Sequence, residues 1–290
     1  MDGILVINKE KGWTSQDVVA KIKKICNTKV GHIGTLDPLA EGVLPLLLGK
    51  GTKLSKYLIE HDKIYEAEIK LGEKTDTGDS EGKIIEKKSI NEENLKKENV
   101  IKVLQKFKGK QKQKPPIYSA IKIKGKKLYE YARKGEKVEI PERQIEIFEI
   151  ELLNIDENSK AINFRVHCSK GTYIRRLCED IAEKLETVGY MKKLNRIKVG
   201  NFSIEKSVTI QKVLENRENK LFWDNNFITI EIFFENYNSI ELNNRKNELF
   251  LNGVKLTENR EDGFYKIYYN NKFIGIGTVE NKLLKREIVL

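Results

Sequence analysis

Hydrophobic and polar positions change rhythm several times along the chain, and each rhythm predicts an element. Residues 4–7 are a short, unbroken apolar run, which reads as a buried strand. Thr14 and Ser15 then offer caps to a helix whose Val18, Val19, Ile22 and Ile25 share one face. Residues 31–51 read GHIGTLDPLAEGVLPLLLGKG, where five glycines and two prolines break any long element, so a loop is expected. Strict alternation over residues 63–71 puts Tyr65, Ala67, Ile69 and Leu71 on one face of a strand and Glu66, Glu68 and Lys70 on the other. Tyr65 therefore points inward or into a cleft. Residues 161–168 repeat the pattern, with Ile162, Phe164, Val166 and Cys168 opposite Asn163, Arg165 and His167. After a turn at 169–172, Ile174, Leu177, Cys178, Ile181, Ala182 and Leu185 form a helical apolar stripe, and Arg175 lies off it in the first turn.

Strands and helices mix without regular β-α-β alternation, which favours an α+β fold: a mixed, largely antiparallel sheet with flanking helices. From about residue 226 the sequence turns to short β-rich runs, such as 264–269 and 273–279, and predicts a small C-terminal β domain. A chain of 290 residues has room for two or three domains, and the expected division is 1–225 and 226–290. Residues 4–7, the longest apolar run near the start, are too few for a signal-peptide core or a membrane span. Cys26, Cys168 and Cys178 lack metal or redox spacing, which fits a reducing cytoplasm. His32, His61 and His167 lie far apart, so no metal centre is expected. Nothing in the periodicity marks a coiled coil, and a monomer is expected.

Charge changes the picture more. The net charge of +11 is carried entirely by residues 102–137, where thirteen basic residues face only Glu130 and Glu136. Tyr118, Tyr129 and Tyr131 interleave with those lysines, a composition suited to a phosphate backbone with exposed bases and equally to a solvated lysine-rich surface.

Most chemical motifs fail on inspection. Gly49-Lys50-Gly51-Thr52 lacks the upstream glycine of a phosphate-binding loop, because position 44 is Leu44. Asp76-Thr77-Gly78-Asp79-Ser80 has a misplaced glycine, and Lys87 stands where a calcium loop needs glutamate, so a surface turn is expected. No serine, cysteine or histidine sits in a recognisable nucleophile motif, which leaves Asp37 as the most interesting group. Asp37 before Pro38 in a glycine-rich apolar stretch suits both a sheltered catalytic carboxylate and a routine turn initiator. On pattern alone, Tyr65 reads as an ordinary core tyrosine ahead of a functional one, His32 as a turn filler and Arg175 as an exposed helix residue.

The stretch Gly31-His32-Ile33-Gly34-Thr35-Leu36-Asp37-Pro38-Leu39-Ala40, continuing to Gly42-Val43-Leu44-Pro45, closely resembles the catalytic motif of the bacterial tRNA pseudouridine-55 synthases. Lys9 with Gly12, Thr14 and Ser15 resembles the family's opening. Tyr65 with Leu71-Gly72 and Thr75-Asp76-Thr77 is similar to its second motif, and Pro115-Pro116-Ile117-Tyr118-Ser119-Ala120 through Ala132-Arg133 to its RNA-gripping insertion. Ser169-Lys170-Gly171-Thr172-Tyr173-Ile174-Arg175 resembles a fourth. The resemblance spans residues 1 to about 200. The tail, with Asn252-Gly253 and Gly275-Ile276-Gly277, is more weakly similar to an RNA-binding PUA domain, and it shows no net basicity.

This resemblance implies roles. Asp37 is then the catalytic carboxylate, in chemistry that breaks the glycosidic bond of a uridine, turns the uracil and rejoins it through carbon 5 without a cofactor. Arg175 pairs with Asp37 and keeps it ionised. Tyr65 stacks on the flipped base and removes the carbon 5 proton, Tyr173 and Leu194 line the substrate, and His32 fills the gap that the flipped nucleotide leaves. The basic insertion, residues 102–137, grips the T-arm of tRNA, with Lys122, Lys124, Lys126 and Lys127 on phosphates. The expected activity is isomerisation of uridine 55 in the tRNA T-loop. The alternative is a tRNA-binding folding chaperone acting without catalysis. A metabolic isomerase of a free nucleoside is disfavoured, because a small substrate gives no reason for the basic segment.

Overall fold

The computed structural model describes every residue except 59, 60, 120 and 137, so Ala120 of the third motif and Lys137 at the end of the basic segment lie outside the described residues. A ten-stranded sheet forms the frame. Its main path uses β1 (Gly3–Lys9), β2 (Glu41–Leu48), β3 (Lys63–Leu71), β4 (Gly109–Gln113), β5 (Arg143–Asp156), β6 (Ala161–Cys168), β7 (Gly189–Val199) and β8 (Phe227–Thr229), in the order β8-β1-β2-β7-β3-β6-β5-β4. Neighbours along this path run antiparallel except β2 and β7, which meet in parallel over Asn195↔Glu41 and Arg196↔Gly42. The fold is α+β with a largely antiparallel sheet, as the mixture of periods predicted.

The pattern explains the elements. Residues 4–7 of β1 are at most 3% exposed, as an unbroken apolar run demands of a strand covered on both faces. Helix α1 (Ser15–Cys26) starts at Thr14, whose hydroxyl accepts from Asp17 N–H while Asp17 accepts from Thr14 N–H, and ends where Asn27 turns left-handed. Helix α2 (Ile174–Lys184) buries the stripe read from the sequence. Both helices pack on one face of the sheet, around Val18, Ile22, Leu44, Ile69, Phe164, Leu177 and Ile181.

One expectation is corrected: part of the glycine- and proline-rich stretch is the central strand β2, seven of whose eight residues are buried. Glycines at 42 and 49 punctuate it without interrupting its apolar middle, and Pro45 still offers its carbonyl to Ile33 N–H.

A second, five-stranded sheet follows. It runs Ser239–Leu242, Gly263–Tyr269, Lys272–Glu280, Leu283–Val289 and Leu256–Thr257 in spatial order, around a core of Ile240, Phe250, Ile267 and Leu284. Ile276 and Ile288 from this sheet join Ile4, Val43, Leu47, Ile230 and Phe234 in one buried cluster on the opposite face of β1 and β2. Strand β8, beyond residue 226, belongs to the large sheet. Among the described residues no helix is long and apolar enough to cross a membrane.

Candidate active site

The turn that carries Asp37 is pinned from three sides. Ser15, at the start of α1, uses its hydroxyl both to accept from Leu36 N–H at 2.8 Å and to donate to Leu36 O at 3.1 Å. Lys9, at the end of β1, is fully buried and donates to Trp13 O at 2.7 Å, Glu10 O at 3.0 Å and Pro38 O at 3.4 Å. Burial brings its ammonium pKa down to about 8, against the pull of Glu41 and Asp37. Arg196 on β7, only 1% exposed, donates to Gly34 O at 2.9 Å, Thr35 O at 3.4 Å and Val43 O at 2.8 Å. Gly34 is left-handed there, and a Cβ on it would stand 3.3 Å from the Arg196 guanidinium, so both its conformation and its neighbour favour glycine.

Arg175 meets the turn from α2. Its Nε lies 3.1 Å from Asp37 Oδ2 and its Nη1 3.4 Å from Asp79 Oδ2, while Nη2 donates to Tyr118 O at 2.8 Å. The arginine side chain is 7% exposed and that of Asp37 is 37% exposed, so the carboxylate sits on a buried cation yet faces an opening. Burial raises the pKa of Asp37 above the ordinary carboxylate value; Arg175 opposes this and Asp79 reinforces it. The expected ionising pull of Arg175 is present, and burial outweighs it.

Tyr65 on β3 is 8% exposed and lies opposite Arg196 in the β3–β7 register, with Ala67 opposite Leu194 one step along the same face. Burial raises the Tyr65 pKa, partly offset by Arg196, so its phenol enters the site protonated. Tyr173 immediately precedes α2, half-buried, its pKa likewise raised by burial, and the Asp37 charge reaches both tyrosines. His32 ends the short strand Val30–His32 that leads into the turn; burial and Arg196 lower its pKa, and its Nδ1 has no hydrogen-bond partner among the described residues. Leu194 is 8% exposed.

The structure therefore gathers Asp37, Arg175, Tyr65 and Tyr173, with Leu194 on the Tyr65 face. It places the four lysines apart from them, on a hairpin of two-residue strands, Lys122–Ile123 and Lys126–Lys127. Lys122, Lys124 and Lys126 are exposed, and Lys127 donates to the Tyr129 hydroxyl at 3.2 Å. Lys126 and Lys127 lie over the rings of Tyr131 and Tyr129, and Arg133 also lies over Tyr129. Among the described residues no group of three or more His, Cys, Asp or Glu side chains could hold a metal ion.

Sequence pattern does not single out Asp79, which reads as part of a surface turn. It is 4% exposed, takes the Thr77 hydroxyl on Oδ1 at 2.6 Å, and gives Arg175 its second carboxylate. The Arg196 guanidinium is not singled out either, since strand alternation alone does not tell a buried arginine from a surface one.

A carboxylate set on a buried arginine shares this region with two tyrosines, and an exposed basic hairpin lies in the same chain. Comparison with known proteins narrows the class. The profile of the TruB family pseudouridylate synthase N-terminal domain matches residues 22–174, and that of the tRNA pseudouridylate synthase B C-terminal domain matches residues 175–227. A "tRNA pseudouridine synthase B" of Caldanaerobacter subterraneus subsp. tengcongensis is 45% identical over 289 residues, covering 98% of both chains. Another, from Clostridium acetobutylicum, is 42% identical over 293 residues with the same coverage. Among solved structures, a Cbf5-Nop10-Gar1 complex shares the fold at 22% identity and a TM-score of 0.69, covering 99% of this chain and 84% of that one. An H/ACA ribonucleoprotein bound to a substrate RNA containing 2'-deoxyuridine does so with a TM-score of 0.66, at the same identity and coverage. The chain belongs to the TruB family of pseudouridylate synthases, and it is accordingly an isomerase that forms pseudouridine.

Proposed function

We propose that the protein isomerises uridine 55 in the T-loop of tRNA, with Asp37 as the catalytic carboxylate. The observation that carries this reading is the seat of Asp37: a partly exposed aspartate, ion-paired at 3.1 Å to an otherwise buried arginine, on a turn that has little freedom to move. The bond changes balance within the substrate. The bond from N1 to the ribose breaks, one from carbon 5 forms, and the carbon 5 proton is lost as N1 gains one, so no cofactor is needed. Asp37 attacks or stabilises the detached intermediate. Tyr65 stacks on the flipped base and takes the carbon 5 proton; because it enters as a phenol, its own proton is the one that N1 gains, and the Arg196 charge beside it favours the phenolate formed between the two transfers. Tyr173 and Leu194 line the base, and His32, with its free Nδ1, fills the gap in the RNA.

Lys122, Lys124, Lys126 and Lys127 hold T-arm phosphates. Residues 1–225 do the chemistry and residues 226–290, whose first strand completes the large sheet, add an accessory PUA-like contact to RNA. A monomer working in the cytoplasm suffices for all of this. The deciding experiment is pseudouridine mapping on an unmodified T-arm hairpin incubated with the parent and with Asp37→Asn. Product at the T-loop uridine with the parent alone supports the reading; none with either protein, despite tight binding, returns the chaperone alternative.

A further inference from the structure

The basic segment and the catalytic pair are joined by a residue with no role so far. Gln113 closes β4 and is 5% exposed. Its Oε1 accepts from Tyr173 N–H at 2.8 Å and its Nε2 donates to Tyr173 O at 3.1 Å. A side-chain amide can satisfy both polar groups of one peptide residue in this way, as a neighbouring strand would. It thereby fixes the backbone from which the Tyr173 ring and, two residues on, Arg175 project. Five residues further along, Tyr118 O accepts from Arg175 Nη2 at 2.8 Å. Between these two ties run Lys114, Pro115, Pro116 and Ile117, a strap stiffened by its prolines, which leads directly into the lysine hairpin.

We propose that Gln113 is a positioning residue for the reaction: it couples the seating of RNA on the lysine hairpin to the placement of Tyr173 and of the Arg175–Asp37 pair. It acts through those residues without touching substrate. The inference rests on the T-arm reading above for its substrate.

The test uses the full-length chain carrying Gln113→Ala or Gln113→Glu, with single-turnover release of tritium from carbon 5 of a T-arm hairpin and hairpin affinity measured in parallel. Gln113→Ala should lose about 10- to 100-fold in rate, the scale of a 1 Å misplacement, while affinity stays within about threefold. Gln113→Glu keeps the acceptor for Tyr173 N–H but regains a donor only when its carboxyl is protonated. Its rate relative to the parent at the same pH should therefore climb as the pH is lowered, a rescue that a packing role does not produce. Amide exchange at Tyr173 reads the coupling without turnover: hairpin binding should slow it in the parent and not in Gln113→Ala. A parent-like rate in Gln113→Ala, an equal loss of rate and affinity, or a pH-independent ratio for Gln113→Glu would overturn the proposal. Should Gln113→Ala fail to fold, the Gln113→Glu ratio decides. A parent that slows Tyr173 exchange on binding yet makes no pseudouridine overturns the substrate reading and leaves the coupling standing.

Discussion

The Asp37 turn and the lysine hairpin are both charged, yet they are built in opposite ways. Around Asp37, the cations are buried and their donors are spent on the protein itself: Lys9 on three carbonyls, Arg196 on three more, Arg175 on two carboxylates and the carbonyls of Thr77 and Tyr118. At 122–127, the strands are two residues long, three of the four lysines stand in solvent, and much of what orders them is tyrosine rings under ammonium groups. A reacting carboxylate must be held to within a fraction of an ångström, and desolvated charges fixed by several acceptors do that. Phosphates are gripped by long-range attraction that tolerates movement, and exposed lysines on a light frame supply it.

Four changes probe that contrast. Asp37→Asn should reduce pseudouridine formation to background while hairpin affinity holds within a few-fold, because the amide keeps the shape and loses the charge; measurable turnover would remove Asp37 from its role. The same variant should unfold at a higher temperature than the parent near neutral pH. A raised carboxyl pKa means that the folded state binds protons more readily than the unfolded one, so the ionised parent is the less stable form. That deficit is complete above the raised value and gone below the ordinary value of 3.8, where the two melting temperatures should meet.

Tyr65→Phe keeps the ring and with it most of the stacking, so binding should barely change while tritium release falls by about 10² or more. Near-normal release would leave Tyr65 as a packing residue and place the base elsewhere. For Arg196→Met the expected loss is on the order of 3 kcal/mol in urea-measured stability, since the buried Val43 carbonyl and the Gly34 and Thr35 carbonyls of the turn lose charged donors at once. A loss below about 1 kcal/mol would show that the Asp37 turn holds without it. Neutralising Lys122, Lys124, Lys126 and Lys127 together should leave the melting temperature alone and reduce the slope of log affinity against log salt by roughly 3, at about 0.7 to 0.9 per phosphate contact. An unchanged slope would make the hairpin an ordinary solvated surface.

How much of this could be read in advance differs along the same line. Alternation exposed β3 and β6, and the stripe on α2 exposed its buried face, because burial on one side leaves a period in the sequence. Strand β2 was hidden: covered on both faces, it has no period, and its flanking glycines and Pro45 argued for a loop. Arg175 was legible only through family resemblance, since a charged residue off an apolar stripe ordinarily faces water; it is buried because Asp37 and Asp79 wait for it there. Asp79 lay in what reads as a turn, and its partner is 96 residues away in sequence, a distance no local pattern spans. Gln113 is quieter still, for its work is done on another residue's backbone, which side-chain chemistry in a sequence does not announce.

The cluster that joins Ile4 and Val43 to Ile276 and Ile288 has a consequence for how the protein is made. Strand β1 must wait for Ile276 and Ile288 before this face is fully covered, and its edge partner, β8, arrives only after residue 226. Until those residues are made, the nascent polypeptide carries an unfinished apolar surface on β1 and β2. Final closure is set by contacts of very large sequence separation, the slow kind.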